Sequence, residues 1–249
     1  MKSDKDKIIE KFLAVKGLGF VKSNRKNNTG IGKTFEDYVG VVENNLDEPD
    51  LFGYEIKSHR DDVNSYITLF TKVPNFPRKA NSYLNSRFGT PYDDNPELKK
   101  LHTSMFANKF NTCGGKYSFR MLNDRADEKL RIGVFDIHSR QLLDAEAGYT
   151  YECLRKVFKH KLRNLLYVTA ERKYVNKDEY FYFNRAEVYS NPTFERFMDL
   201  LDGGQIMYDI RIGSYRSGKK YGKPHDHGSG FRILEANIKQ LYADREVLS

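Results

Sequence analysis

The sequence predicts an α/β fold: a mixed central sheet flanked by helices, with room for a second lobe. Three observations carry that expectation. Apolar runs of strand length, SYITLFTK at 65–72 and LLYVTA at 165–170, read as buried strands. Apolar residues at helical spacing recur beside them, as at 4–16 and 149–162. No clean linker divides the 249 residues, a length that suits one large domain or two intimate lobes.

Taken in order, Ile8, Ile9, Phe12, Leu13 and Val15 form a helical face ended by Gly17 and Gly19. The polar stretch 23–32 reads as a loop. Thr34-x-x-Asp37 resembles a capping box opening a helix with an apolar face of Phe35, Tyr38, Val39 and Val42. Glu36 falls about 60° from Val39 on a 3.6-residue wheel, at the edge of that face. Residues 65–72 read as a central strand. Residues 74–130, with four prolines and Gly114-Gly115, read as loops and short helices extending one wall of a cleft. A strand at 131–138, a helix at 149–162 and a buried strand at 165–170 follow. Asn191-Pro192 opens a helix by N-cap and N1 chemistry, and Asp202-Gly203-Gly204 closes it. In 205–212, Ile206, Tyr208, Ile210 and Ile212 alternate with Met207, Asp209 and Arg211. A final helix is expected through Leu248.

Lys and Arg total 42 against 34 Asp and Glu, a net charge of +8 that favours a polyanionic partner. Cys113 and Cys153 form neither a zinc spacing nor a disulfide framework, which fits a reducing cytoplasm. No apolar run approaches the length of a membrane span, and the charged N-terminus does not continue into a signal peptide. A soluble, cytoplasmic protein is expected.

The stretch Pro49-Asp50-Leu51-Phe52-Gly53-Tyr54-Glu55-Ile56-Lys57 carries the chemistry. In a strand, Glu55 and Lys57 share one side while Tyr54 and Ile56 face the other. If the chain doubles back at Gly53, Asp50 returns beside Glu55, and one pocket holds two carboxylates and an amine. Carboxylate oxygens suit a hard divalent cation. Such an ion polarises a phosphate and lowers the pKa of a bound water, while Lys57 can orient that water and offset charge on phosphorus. The bland reading is a hairpin with ordinary surface charges. His59, just past Lys57, could touch a phosphate, although an ordinary polar role serves it equally.

A second cluster would read DNA. Arg bonds a guanine edge in two places and Asp accepts from a cytosine amino group, so Asp209 and Arg211 could read neighbouring G·C pairs. Arg216, Lys219, Lys220, Lys223, His225, Asp226, His227 and Arg232 follow in a glycine-rich setting. The lysines suit phosphates, which position a protein without specifying sequence. The alternative is an exposed ion pair and a solvated loop. His225-x-His227 lacks an apparent third ligand for a structural metal.

Asp50-Leu51-(x3)-Glu55-Ile56-Lys57, the run SYITLFT and KHKLR-x-LLYV at 159–168 resemble, in order, the MutH-like branch of the PD-(D/E)xK nucleases. With Glu36 matching an acid-bearing helix before the E-x-K strand, the chain is similar to the MvaI/BcnI group of type II restriction endonucleases. The similarity covers roughly 30–170 and extends with less support to the C-terminal lobe. It implies a restriction-endonuclease-like core at roughly 1–72 plus 131–170, and a DNA-recognition lobe at roughly 175–235. It implies Mg2+-dependent cleavage of double-stranded DNA at a short CC-x-GG type site. It further implies a monomer without an obligate protein partner, clamping DNA and cutting one strand per binding orientation. Asp50 and Glu55 would be metal ligands, Lys57 the water-orienting amine, Glu36 an accessory acid and Lys161 an auxiliary contact near the scissile phosphate. Two rivals remain: a MutH-like repair nickase awaiting an activating partner, and a basic DNA- or RNA-binding module without catalysis.

Overall fold

The computed structural model describes residues 2–26, 29–41, 49–60 and 65–249. The chain begins α1 (Asp4–Lys16), β1 (Phe20–Lys22), α2 (Gly30–Val39) and β2 (Tyr54–Arg60). It continues through β3 (Tyr66–Thr71), α3 (Ala80–Phe88), β4 (Thr90–Tyr92), β5 (Asn95–Met105) and β6 (Asn111–Cys113). Next come β7 (Tyr117–Asp124), β8 (Lys129–Asp136), β9 (Leu142–Asp144), β10 (Gly148–Thr150) and α4 (Tyr151–Lys161). The last part holds β11 (Asn164–Val175), β12 (Asp178–Pro192), α5 (Phe194–Asp202), β13 (Ile206–Ser214), β14 (Pro224–Asp226), β15 (Gly230–Leu234) and β16 (Tyr242–Leu248). The fold class is α/β.

Two compact units share the chain. The first comprises residues 1–65, 159–193 and 238–249; the second comprises 66–158 and 194–237. These bounds differ from those expected from the sequence. Residues 66–72 and 131–158 fall in the second unit, while 175–193 fall in the first. The reason is pairing: β11 and β12 are one long hairpin, which keeps 175–193 with 164–175.

The first unit is built on that hairpin. β11 pairs antiparallel with β12 and parallel with β2, so its sheet is mixed, and β2 lies at the edge in the order β1-β12-β11-β2. β16 pairs with β12 on the side away from β11. A strand paired on both sides and covered on both faces reads as a continuous apolar run, and residues 165–170 are all buried. One face of this sheet packs on the helices. Ile8, Phe12 and Val15 of α1 and Ile31, Phe35 and Val39 of α2 meet Ile56, Leu166, Val168, Phe181, Phe183 and Val188 in one core. Ser3 caps α1 through a capping box with Asp6.

The second unit carries two antiparallel sheets. In one, β13 lies between β15 and β5, in the order β3-β15-β13-β5-β4. In the other, β8 lies between β10 and β7. Aromatic packing joins α5 to the first of these: Phe197 and Phe231 have ring centroids 5.4 Å apart, and Tyr208 and Phe231 5.1 Å.

Several expectations change. α2 starts at Gly30, not Thr34. Thr34 is fully buried inside the helix, and its hydroxyl donates to the Gly30 carbonyl (2.7 Å) as mid-helix threonines do. Ile31 takes the inward place assigned to Tyr38, which is 44% exposed; Val42 lies outside the described residues. Leu13 of α1 also faces solvent. Residues 65–72 supply β3, an edge strand of the second unit and not a central strand. Residues 74–130 hold long strands as well as α3. β5 buries Leu98, Leu101, Thr103 and Met105 with polar residues between them, and Pro91 and Pro96 sit on β4 and near the start of β5, where a missing donor is tolerated. Asn191-Pro192 ends β12, with Pro192 opposite Tyr242, and α5 begins at Phe194. The expected final helix is instead a short 3-10 segment, Glu235–Gln240, followed by β16. There, pairing with β12 outweighs local helix propensity.

Candidate active site

The local sequence folds the Asp50–Lys57 motif back on itself. Phe52 (φ 50°) and Gly53 (φ 78°) both have positive φ, as a two-residue turn matched to strand twist requires. Glycine takes that conformation without strain; Phe52 does not. The Tyr54 N–H donates to the Leu51 carbonyl (2.8 Å), and the Leu51 N–H donates to the Tyr54 carbonyl (3.1 Å), closing the turn. Asp50 therefore returns to the strand: its Oδ2 accepts from the Ile56 N–H at 2.7 Å. Along β2, Tyr54 and Ile56 are buried while Glu55 and Lys57 are each about a third exposed. The Lys57 ammonium pairs with Glu55 Oε1.

Both carboxylates fit a hard cation. Asp50 Oδ2 and Glu55 Oε1 are engaged as described, and the second oxygen of each has no protein partner among the described residues. Two such oxygens in one turn offer the donor chemistry that magnesium takes, with waters completing its shell. Among the described residues no group of three or more His, Cys, Asp or Glu side chains could hold a metal.

The rest of this face supports the motif. His59 stacks on Tyr167 (ring centroids 4.6 Å apart), with Nε2 2.8 Å from Thr169 Oγ1 and Nδ1 3.0 Å from the Arg60 carbonyl. Tyr167 is the register partner of Lys57 on β11 and of Glu187 on β12. Glu187 is 5% exposed. It accepts from Tyr189 and from Arg245 Nε (2.8 Å) and lies 3.3 Å from Arg185. Burial works to raise its carboxyl, but Arg245, Tyr189 and Arg185 together hold it below the usual carboxylate value. Burial pushes the Tyr242 phenol well up, and the nearby Glu55 charge adds to that. Neither Glu187 nor Tyr242 was found from the sequence. They reach this face through strand pairing at long range, for which no local pattern exists.

Glu36 sits half-buried on α2, the helix that packs against β2. Lys161 is the exposed last residue of α4. β11 starts at Asn164, opposite Tyr54, so Lys161 lies toward the end of β2 that carries the motif.

In the second unit, the expected two-faced strand is buried on both sides. β13 is covered except at Arg211; Met207 and Asp209 are 6% and 8% exposed. Asp209 does not project toward solvent as expected, because β15 and β5 flank its strand. Instead Asp209 Oδ2 accepts from Arg211 Nε (2.7 Å) and lies 2.9 Å from Arg232 Nε, an ion pair without hydrogen-bond alignment. Asp226 closes its own turn, accepting from the Gly228 and Ser229 N–H groups and the Ser229 hydroxyl, and Asn81 also donates to it. His225 lies on Tyr215 (4.4 Å) and edge-on to His227 (4.3 Å), with His102 beyond at 6.1 Å. Burial, then the charges of His227, Lys100 and Arg211, keep His102 below the usual imidazole value. Arg216 pairs with Asp94, and Lys219, Lys220 and Lys223 are exposed.

A family model described as the MvaI/BcnI restriction endonuclease family matches residues 9–242. Among solved structures, "Restriction endonuclease MvaI-cognate DNA substrate complex" is similar at 34% identity and a TM-score of 0.83, over 99% of both chains. "Restriction endonuclease MvaI in the absence of DNA" is similar at 33% identity and a TM-score of 0.71, over 100% of this chain and 99% of that one. The motif residues are similar enough to point to MvaI itself; an identity of 34% makes MvaI a relative instead. No curated protein sequence matches. Among the described residues, no helix is long and apolar enough to cross a membrane.

Proposed function

The chain belongs to the MvaI/BcnI restriction endonuclease family and acts on DNA, and from that premise we propose that it is a type II, Mg2+-dependent endonuclease of double-stranded DNA. The observation that carries the reading is the return of Asp50 to the Glu55 strand, one hydrogen bond from Ile56, with Lys57 paired to Glu55. Asp50 and Glu55 would hold the cation, which supplies polarisation of the scissile phosphate and a bound water of lowered pKa. Lys57 orients the attacking water and offsets charge as the phosphorus gains its fifth ligand. Its pairing with Glu55 keeps the ammonium at the reacting centre without a distant partner. Glu36 is an accessory acid, and Lys161 steadies the phosphate from the end of α4. His59, held by Tyr167 and Thr169, is placed to touch a neighbouring phosphate.

Sequence is read in the second unit. Arg211, and Arg232 beside it, take guanine edges, while Asp209 holds the two guanidinium groups apart and aimed. That role replaces the direct cytosine contact expected of Asp209. Arg216, Lys219, Lys220, Lys223, His225 and His227 contact backbone or base edges around the β13–β14 hairpin. Asp226 shapes the loop that carries them. The site is a short one of the CC-x-GG kind, cut by a monomer one strand per binding orientation.

The test is incubation of purified protein with long mixed-sequence duplex DNA, with and without Mg2+. Discrete bands that require the metal are expected, and sequencing their ends gives the site and cut position. Intact DNA that still shifts on a gel would remove the endonuclease reading in favour of a binding module or a nickase lacking its partner.

A further inference from the structure

Away from Glu55 and Lys57, the first unit carries a groove of about 640 Å³ whose lining includes Lys22, Arg25, Lys26, Arg60, Arg172 and Lys177. Among the described lining residues two are carboxylates: Asp178 pairs with Lys22, and Glu179 lies 3.1 Å from Arg60. Tyr174, 61% exposed, completes one wall. The lining is assembled from the segment after β1, the end of β2 and the tip of the β11–β12 hairpin, which extends beyond the last residue paired with β2. On β2, Arg60 alternates with Glu55 and Lys57 and so belongs to the face that carries α1 and α2. The groove is thus a surface separate from the catalytic motif.

Its basic segment is held in place and is not a solvated tail. The Ser23 N–H donates to the Glu179 carbonyl (2.8 Å) and the Ser23 hydroxyl to the Arg25 carbonyl (2.7 Å). The Asn24 N–H donates to the buried Thr34 hydroxyl (2.9 Å), and the Asn24 amide to Asp37 (3.0 Å). Gly30 lets the segment approach: a Cβ there would fall 2.3 Å from the Arg25 carbonyl oxygen. The backbone carrying Arg25 and Lys26 is therefore fixed by α2 and β12, which lowers the ordering cost of gripping a charged ligand.

We propose that this groove binds the phosphate backbone of duplex DNA outside the base pairs engaged at Asp50, Glu55 and Lys57, without reading sequence. The ligand class follows from the chemistry of the exposed Lys22, Arg25, Lys26, Arg172 and Lys177 side chains lining an open channel, which suits a run of phosphates more than one small anion. The proposal rests on the nuclease reading only in taking duplex DNA as the ligand.

The test compares the full chain with its Arg25→Ala/Lys26→Ala/Lys177→Ala variant on two duplexes. One ends close to the cleaved site; the other carries two further helical turns on each side. Binding is measured against salt concentration. On the long duplex the slope of log K against log salt should fall by about two to three, near 0.9 for each phosphate no longer neutralised. On the short duplex affinity should be unchanged, as should cleavage at saturating protein. The Arg25→Lys/Lys26→Arg/Lys177→Arg variant should restore the slope. Equal slopes for variant and wild type on the long duplex, or equal weakening on both duplexes, would overturn the proposal. So would inorganic phosphate that occupies the groove, seen by chemical-shift changes at its residues, while duplex length has no effect. If wild type never cleaves but its long-duplex slope depends on these residues, the nuclease reading fails and the groove stands.

Discussion

Asp50, Glu55 and Lys57 come together within one hairpin, whereas Arg232 joins Asp209 and Arg211 only because β13 pairs with β15. The first cluster is about a third exposed at Glu55 and Lys57; in the second, Asp209 and Arg232 have side-chain exposures of 11% and 14%. The difference teaches where each group's charge acts. In the hairpin, carboxylates stay accessible to a cation and water, and the fold asks little of them. In the sheet, a buried carboxylate must be matched by its arginines or the unit loses stability. On the proposed function, chemistry would be carried by a local turn and recognition by a network that is also part of the core.

This comparison is broken first at Glu55. Glu55→Ala should reduce metal-dependent cleavage on the order of 10³-fold or more, since cation-borne charge stabilisation is worth several kcal/mol. DNA binding and the unfolding midpoint should stay close to wild type; a cleavage rate equal to wild type would remove the site assignment. Asp209→Ala should act in the opposite sense, through stability. Leaving Arg232 buried and unmatched costs about 3–5 kcal/mol, read as a lower urea midpoint, and an unchanged midpoint would show that the network does not hold the sheet.

Arg211→Ala sharpens the comparison at lower cost. With its side chain 46% exposed, it should lose about 1–3 kcal/mol of discrimination between cognate and random duplex. Equal weakening on both would assign Arg211 to phosphate alone. The smallest effect is expected from acid. Because Arg245, Tyr189 and Arg185 hold the Glu187 carboxyl below its ordinary value near 4.5, its ionised form is favoured in the folded state. That contribution is whole above about pH 4.5 and is lost as pH falls through the lower folded value. Glu187→Gln should flatten the acid limb of a stability–pH profile while leaving the alkaline limb alone.

The legible parts were those governed by neighbours in sequence. α1 spans 4–16 as its apolar spacing predicts, and α5 ends at Asp202-Gly203-Gly204 with Gly204 in a left-handed conformation. The reversal at Gly53 follows from the turn residue, and the opposite facing of Glu55 and Ile56 from the period of a strand. Thr34 misled because the same hydroxyl that caps a helix can bond backward inside one. Residues 65–72 misled because an apolar run does not reveal whether the strand beside it continues the sheet or ends it.

The sequence by itself determined the α/β class, the basic balance and the hairpin that returns Asp50 to the Glu55 strand, because composition, period and turn chemistry act over a few residues. Tertiary structure alone decided that Asp209 is buried between two arginines, that Glu187 and Tyr242 lie near the Glu55 and Lys57 face, and that 242–248 form a strand instead of a helix. Each of these depends on which distant strand supplies the partner, and pairing energy between segments far apart in the chain leaves no mark on either segment read alone.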